Sequence, residues 1–229
     1  MDPLISVINE LRKLNTLVDN DCISLPQIVA VGAQSAGKSS TIEGIVGFSF
    51  LPRGNDIVTR WITGDWATLD HISNKNFTDF EEVENEIRNK VPPKQDIKAM
   101  VDEYVKNPKS LILAVTPANN DVNNSDALHI AKKYDPERLR TICVLTKIDL
   151  MDKGTNANDL LMGKKFYFKH GIIGVRCRSQ EEVANKTSVE DCLKQEEEFF
   201  RKNYRPIARK CGMPYLREQL NKVSLIQIN

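Results

Sequence analysis

The sequence predicts an α/β fold in which helices flank a mostly parallel sheet. Short apolar, β-branched runs recur along the chain, and stretches with three- and four-residue apolar spacing separate them. One of those runs feeds straight into a glycine-bounded turn that opens a helical pattern. At 229 residues, with 41% hydrophobic and 28% charged residues, the chain can build one domain with a substantial core.

Leu4, Ile8, Leu11, Leu14 and Val18 fall on one face of an amphipathic helix. Pro26 opens the run Ile28-Val29-Ala30-Val31, a buried strand, and helical spacing returns from Ser39 to Val46. Leu51 to Asp70 contains Pro52, Gly54 and Gly64 and reads as a long loop with at most one strand. Phe80 to Lys90 is a charged helix stopped by Pro92-Pro93. Strand and helix then alternate. Ile97 to Val105 reads as a helix, Leu111 to Val115 as a strand, Asp126 to Lys133 as a helix and Ile142 to Leu145 as a strand. Asn158 to Phe168 reads as a helix, Ile172 to Val175 as a strand and Val189 to Arg201 as a helix, and Tyr215, Leu216, Leu220 and Val223 mark a last helix.

Composition excludes several classes. Thirty-two basic against 31 acidic residues give a formal charge of +1, so bulk charge does not predict a nucleic-acid binder. No apolar run reaches the length of a membrane span, and the charged first twenty residues do not read as a signal peptide, so membrane contact is expected to be peripheral. The five cysteines (Cys22, Cys143, Cys177, Cys192, Cys211) are scattered without a C-x-x-C pair, which predicts reduced cytosolic thiols, some in the core. His71, His129 and His170 share no metal-ligand spacing, and Glu196-Glu197-Glu198 reads as a solvated helix face. Trp61 and Trp66 fit core or loop equally well.

Two motifs carry chemistry. Gly32-Ala33-Gln34-Ser35-Ala36-Gly37-Lys38-Ser39, followed by Ser40, matches the phosphate-binding loop G-x-x-x-x-G-K-[ST]. Its glycines let backbone N–H groups curl around phosphate oxygens, Lys38 neutralises the β- and γ-phosphates, and the Ser39 hydroxyl suits Mg²⁺. The following helix adds its positive end. The second motif is Thr146-Lys147-Ile148-Asp149, at the end of a later strand. A carboxylate there accepts from N1–H and the N2 amino group of guanine, a donor pair that adenine lacks, while Lys147 lays its stem along the base. Phosphate loop and T-K-x-D together predict a P-loop NTPase fold that takes GTP rather than ATP.

The chain resembles the dynamin superfamily GTPase domain. The likeness is carried by G-A-Q-S-A-G-K-S-S, by L-P-R-G-N-D-I-V-T-R (Leu51 to Arg60), by L-I-L-A-V-T-P-A-N-N-D (Leu111 to Asp121) and by T-K-I-D-L-M-D-K-G-T (Thr146 to Thr155). M-D-P-L-I-S-V-I-N-E-L at the start and G-I-I-G-V-R-C-R-S-Q (Gly171 to Gln180) are most similar to the dynamin-related proteins of mitochondrial and peroxisomal fission. The resemblance covers about 1–60 and 96–228, with a weak echo at Asn76 to Ile87. It implies that Gln34 orients the attacking water and that Ser35 helps hold a monovalent cation (K⁺ or Na⁺) in place of an arginine finger. Thr59 is implied as the switch-one threonine on Mg²⁺ and the water. Asp149 and Asp152 are implied to face guanine with Lys147 beside it, and Arg178, Ser179 and Gln180 to close over the base. Cys177 stands where dynamins commonly have asparagine, and Asp56 where they have glycine in the cation loop.

The larger departure is an absence. The family's third motif, D-L-P-G, belongs between Thr59 and Leu111, yet no D-x-x-G occurs anywhere in this chain. Asp96-Ile97 resembles the sequence that follows that motif, which puts the missing segment around Val91, with one or two strands and the second switch. Its glycine N–H normally touches the γ-phosphate, and each lost contact of that kind costs roughly a hundredfold in rate. A missing strand also leaves its neighbours without a ladder partner.

Three readings follow. The first is an enzyme hydrolysing GTP to GDP and phosphate, organised as an N-terminal bundle helix (1–20), a GTPase domain (21–212) and a C-terminal bundle helix (213–229). The second is a pseudo-GTPase that binds nucleotide and regulates relatives. In the third, the sequence is an incomplete reading of its gene, and the true product retains the lost segment around Val91. The resemblance implies a homodimer, or pairing with a full-length dynamin-related protein, across the GTPase face or a groove between the terminal helices. It further implies indirect membrane association, microtubule contact, and a cytoplasmic protein recruited to mitochondrial or peroxisomal membranes. The two terminal helices form a partial bundle in that picture, and their stripes fit core packing or a vacant groove. No stalk or lipid-binding segment follows, so collar assembly is not expected of this chain alone.

Overall fold

The computed structural model describes residues 27–47, 51, 94–151, 155, 157–185 and 187–228. The N-terminal helix, the loop over 52–70, the helix over 80–90, Cys22, Asp56, Thr59, Trp61, Trp66 and Asp152 lie outside the described residues.

Four strands, β1 (Ile28–Val31), β2 (Leu111–Pro117), β3 (Thr141–Thr146) and β4 (Ile172–Gly174), form one sheet in the order β1-β2-β3-β4. Every pairing is parallel, with Ala30 beside Leu113, Ala114 beside Cys143, and Val144 beside Ile173. Helices α1 (Lys38–Val46), α2 (Lys94–Lys106), α3 (Asp126–Tyr134), α4 (Asn158–Leu161), α5 (Gln180–Ala184), α6 (Val189–Asn203) and α7 (Met213–Ile228) complete the described chain. All four predicted strands and the mostly parallel sheet are present.

The strands read as continuous apolar runs because both faces are covered. Leu111, Leu113, Val115, Ile142, Val144 and Ile173 share one core with Met213, Leu216, Leu220 and Val223 of α7. The alternate residues Ile112 and Ala114 pack with Val105 of α2 and with Ala127 and Ala131 of α3. Cys143 and Leu145 face Phe168, Phe200 and Tyr204. The stripe of the last helix is core, with Leu216 fully buried on the sheet, while the other wall of the expected groove, the first helix, lies outside the described residues. Among the described residues β1 has one ladder partner, β2, and Ile28 on it is 47% exposed.

Local chemistry sets the ends. Ser125 and Ser188 cap α3 and α6 by accepting from Leu128 N and Asp191 N. The helix expected over Asn158 to Phe168 ends at Leu161 instead. Gly163 takes φ 70°, its N–H donates to Leu160 O, and Lys164 N donates to Asp159 O. That pair of bonds is a Schellman stop, which the periodicity of the flanking residues obscured. Helix α5 and three short 3₁₀ turns (Val122–Asn124, Ile148–Leu150, Ala208–Lys210) were not expected from apolar spacing. Cys143, Cys192 and Cys211 are buried free thiols. Burial pushes the Cys143 thiol up to about 12 and that of Cys211 to about 11.

Candidate nucleotide site

Parallel strands bring the loops that follow them to one edge of the sheet, the edge where open α/β sheets bind ligands. Here that edge gathers the glycine loop after β1, residues 118–125 after β2, Lys147 to Leu150 after β3 and Val175 to Ser179 after β4. Motifs more than a hundred residues apart thus meet.

The glycine loop wraps tightly. A Cβ on Gly32 would lie 2.3 Å from the Val115 carbonyl oxygen, so only glycine lets the loop pass the end of β2. Ser35 and Gly37 both have positive φ (61° and 95°). Gly37 starts α1 with no side-chain cap, so the N-terminal end of the helix follows directly on the loop. Lys38 folds over the loop and donates to Gly32 O (2.9 Å) and Ala33 O (2.8 Å). Desolvation lowers its ammonium pKa from the ordinary lysine value. Ser39 and Ser40 stand on the first turn of α1, half-buried. Ala36 is buried, and the Thr146 hydroxyl, also buried, donates to its carbonyl oxygen. Thr146 therefore holds the loop to β3 from behind and does not line the open site.

Ala33, Gln34 and Ser35 are exposed and line a cavity of about 410 Å³ with Asn120, Asp121, Ser125, Asp126 and Lys147. The loop after β2 is shaped by Asp121, which accepts from Asn123 N at 2.9 Å, and by a 2.6 Å bond between the Thr116 and Ser125 hydroxyls. Asn120 and Asp121 had no assigned role in the sequence. Their position just past the end of a parallel strand is the signal that points to them.

Lys147 takes a left-handed conformation (φ 54°) as Asp149 turns away from β3. The Asp149 side chain is 24% exposed, and one of its oxygens lies 3.6 Å from Arg176 Nε. Two of the residues matched to the base-closing loop, Arg178 and Ser179, have firm partners in the protein. Arg178 donates to Glu43 Oε2 at 3.0 Å, while Leu51 N donates to Oε1 of the same buried carboxylate. Ser179 caps α5 in a reciprocal box with Glu182. Gln180 begins that helix. The Cys177 sulfur sits 3.7 Å from the Thr41 hydroxyl, against α1. Glu43, Arg176, Glu182 and Glu196 are functional neighbours that motif reading missed, because polar groups inside an apolar pattern do not announce which loop they hold. Among the described residues no group of three or more His, Cys, Asp and Glu side chains could hold a metal ion.

The dynamin family model matches residues 28–95 and 88–148, and the dynamin central region model matches 156–229. The chain belongs to the dynamin family. Residues 28–148, which hold β1, β2 and β3, match the part of that family that carries its GTPase domain. The chain is 39% identical to Dynamin-A of Dictyostelium discoideum, over 100% of this chain and 34% of that protein. It is 37% identical to the Dynamin-1-like protein of Danio rerio, over 100% of this chain and 43% of that one. The chain spans well under half the length of these curated relatives. Their alignments run over 291 and 296 positions against 229 residues here, so they pass over relative positions that this dynamin-family chain lacks. The two stretches of the family match meet at residues 88–95, around Val91. The central-region match begins between β3 and β4, although those strands are neighbours in one sheet. No helix among the described residues is long and apolar enough to cross a membrane.

Proposed function

We propose that this chain binds GTP and hydrolyses it to GDP and phosphate. The observation that supports this best is the meeting of a phosphate loop, its uncapped helix and the T-K-I-D carboxylate at one edge of one sheet. In this reading the loop N–H groups and the start of α1 hold the phosphates, and Lys38 exchanges two backbone carbonyls for phosphate oxygens. Asp149 accepts from the Watson–Crick edge of guanine, and with adenine its acceptors stay unmatched. Gln34 and Ser35 stand at the exposed mouth, where water and a monovalent cation reach the γ-phosphate. Thr59 and Asp152 complete the set from outside the described residues. Ser39 offers the single hard oxygen that a phosphate-bound Mg²⁺ usually takes from such a loop, the rest coming from phosphate and water, so the residues present fit that ion. When bound, Mg²⁺ would offset charge on the β- and γ-phosphates.

Pairing of two such domains across the nucleotide face, and service in organelle membrane fission from the cytoplasm, are the setting this reading proposes. The missing D-x-x-G favours a second reading, a nucleotide-binding regulator with little hydrolysis. Single-turnover GTP hydrolysis with Mg²⁺ and K⁺ separates the two. Turnover that Lys38→Ala lowers by roughly a hundredfold or more supports the enzyme. Folded wild-type protein that turns over no faster than Lys38→Ala would leave the regulator.

A further inference from the structure

We propose that Arg176 is a positioning residue for base recognition, a fixed positive charge that lets Asp149 be covered by guanine. The inference rests on the reading of Asp149 as the guanine acceptor. A carboxylate covered by a neutral base loses water, and that loss is costly unless a counter-charge stays beside it. Arg176 meets the requirement geometrically. Its Nη2 donates to Glu182 Oε1 at 2.7 Å and its Nη1 to Gln195 Oε1 at 3.2 Å, so both ends of the fork are taken by other groups. Its Nε then faces Asp149 Oδ2 at 3.6 Å, close enough for charge attraction and too far for a hydrogen bond. The lone pairs of Asp149 stay open to the two donors of guanine while the charge remains alongside.

The guanidinium is also well anchored, with its side chain 17% exposed. Glu182 is itself held by Ser179 N at 2.7 Å, and the Arg176 backbone N–H donates to the buried Glu196 at 2.7 Å. The capping box of α5 thereby fixes the charge next to Asp149. Apolar periodicity gives no hint of this, because the partners come from three different elements.

The test is a double-mutant cycle read by equilibrium binding of GDP and xanthosine diphosphate to the purified chain. Asp149→Asn should exchange GDP for xanthosine diphosphate, whose 2-carbonyl needs a donor; failure to do so overturns the reading of Asp149 and the proposal with it. Given that exchange, Arg176→Gln should weaken GDP binding roughly three- to thirtyfold in the Asp149 chain. It should change xanthosine diphosphate binding by less than about twofold in the Asp149→Asn chain, where no carboxylate needs compensation. Arg176→Lys keeps the charge and should hold GDP within about threefold of wild type. Equal losses in both backgrounds would mean that Arg176 only supports the loop and would overturn the proposal. Unchanged or tighter GDP binding by Arg176→Gln, or a loss with Arg176→Lys as large as with Gln, would overturn it too.

Discussion

Gly32 carries more of this site than its size suggests. It is the point where the loop leaves β1, and the carbonyl of Val115 occupies the space any side chain would need. Gly32→Ala should therefore destabilise the chain by about 1–3 kcal/mol, read as a lower thermal midpoint, and should abolish nucleotide binding in whatever folds. A variant with unchanged midpoint and affinity would show that the loop can move aside. At this scale the motif was legible in the sequence, because G-x-x-x-x-G-K-S names residues whose backbone freedom is itself the function. Arg176 was not legible. Its importance comes from Asp149, Glu182 and Gln195, which converge on it only after the chain has folded.

Among the elements, α6 shows how a charge run can mislead. Glu196 reads as part of a solvated triplet, yet it is 1% exposed and accepts from Arg176 N at 2.7 Å and Met213 N at 2.8 Å. It joins the loop after β4 to the start of α7. Desolvation pushes its carboxyl from the ordinary 4.5 up to about 7, against the backbone donors and the charges of Arg176 and Arg217. A folded pKa above the unfolded one means that the native state binds the extra proton between those values. The stability tied to that proton is full below pH 4.5 and is lost as pH rises towards 7. Glu196→Gln turns a donor towards one of two backbone N–H groups and should cost about 1–3 kcal/mol. Denaturant melts from pH 4.5 to 7 should show the wild type's advantage over Glu196→Gln shrinking as pH rises; a constant difference would count against the assignment.

For the whole molecule, the telling contact is α7 on the sheet. Leu216 is fully buried among Leu111, Leu113, Ile142 and Val144, so this helix closes the core on one face. Leu216→Ala should cost about 2–5 kcal/mol in unfolding free energy, as a core truncation does. A loss below ~0.5 kcal/mol, the scale of a surface change, would mean that the helix can leave without disturbing the sheet. Contacts between α1 and α7 extend this coupling to the phosphate loop: Arg217 Nε donates to Gly44 O at 3.1 Å, and a Cβ on Gly44 would meet Met213 Cε at 2.6 Å.

The sequence by itself determined the α/β class, the four strands, the phosphate loop, the T-K-I-D turn and the absence of D-x-x-G. Each of these is a local pattern, written in residue spacing or in a glycine that a turn requires. Tertiary structure alone decided that the stripe of α7 belongs to the core, that Thr146 supports the loop from behind, and that Arg178 answers Glu43. It also decided where the helix after Asn158 stops and which cation stands beside Asp149. Those outcomes depend on partners up to about 135 residues away along the chain, and parallel strand pairing is what brings them within reach.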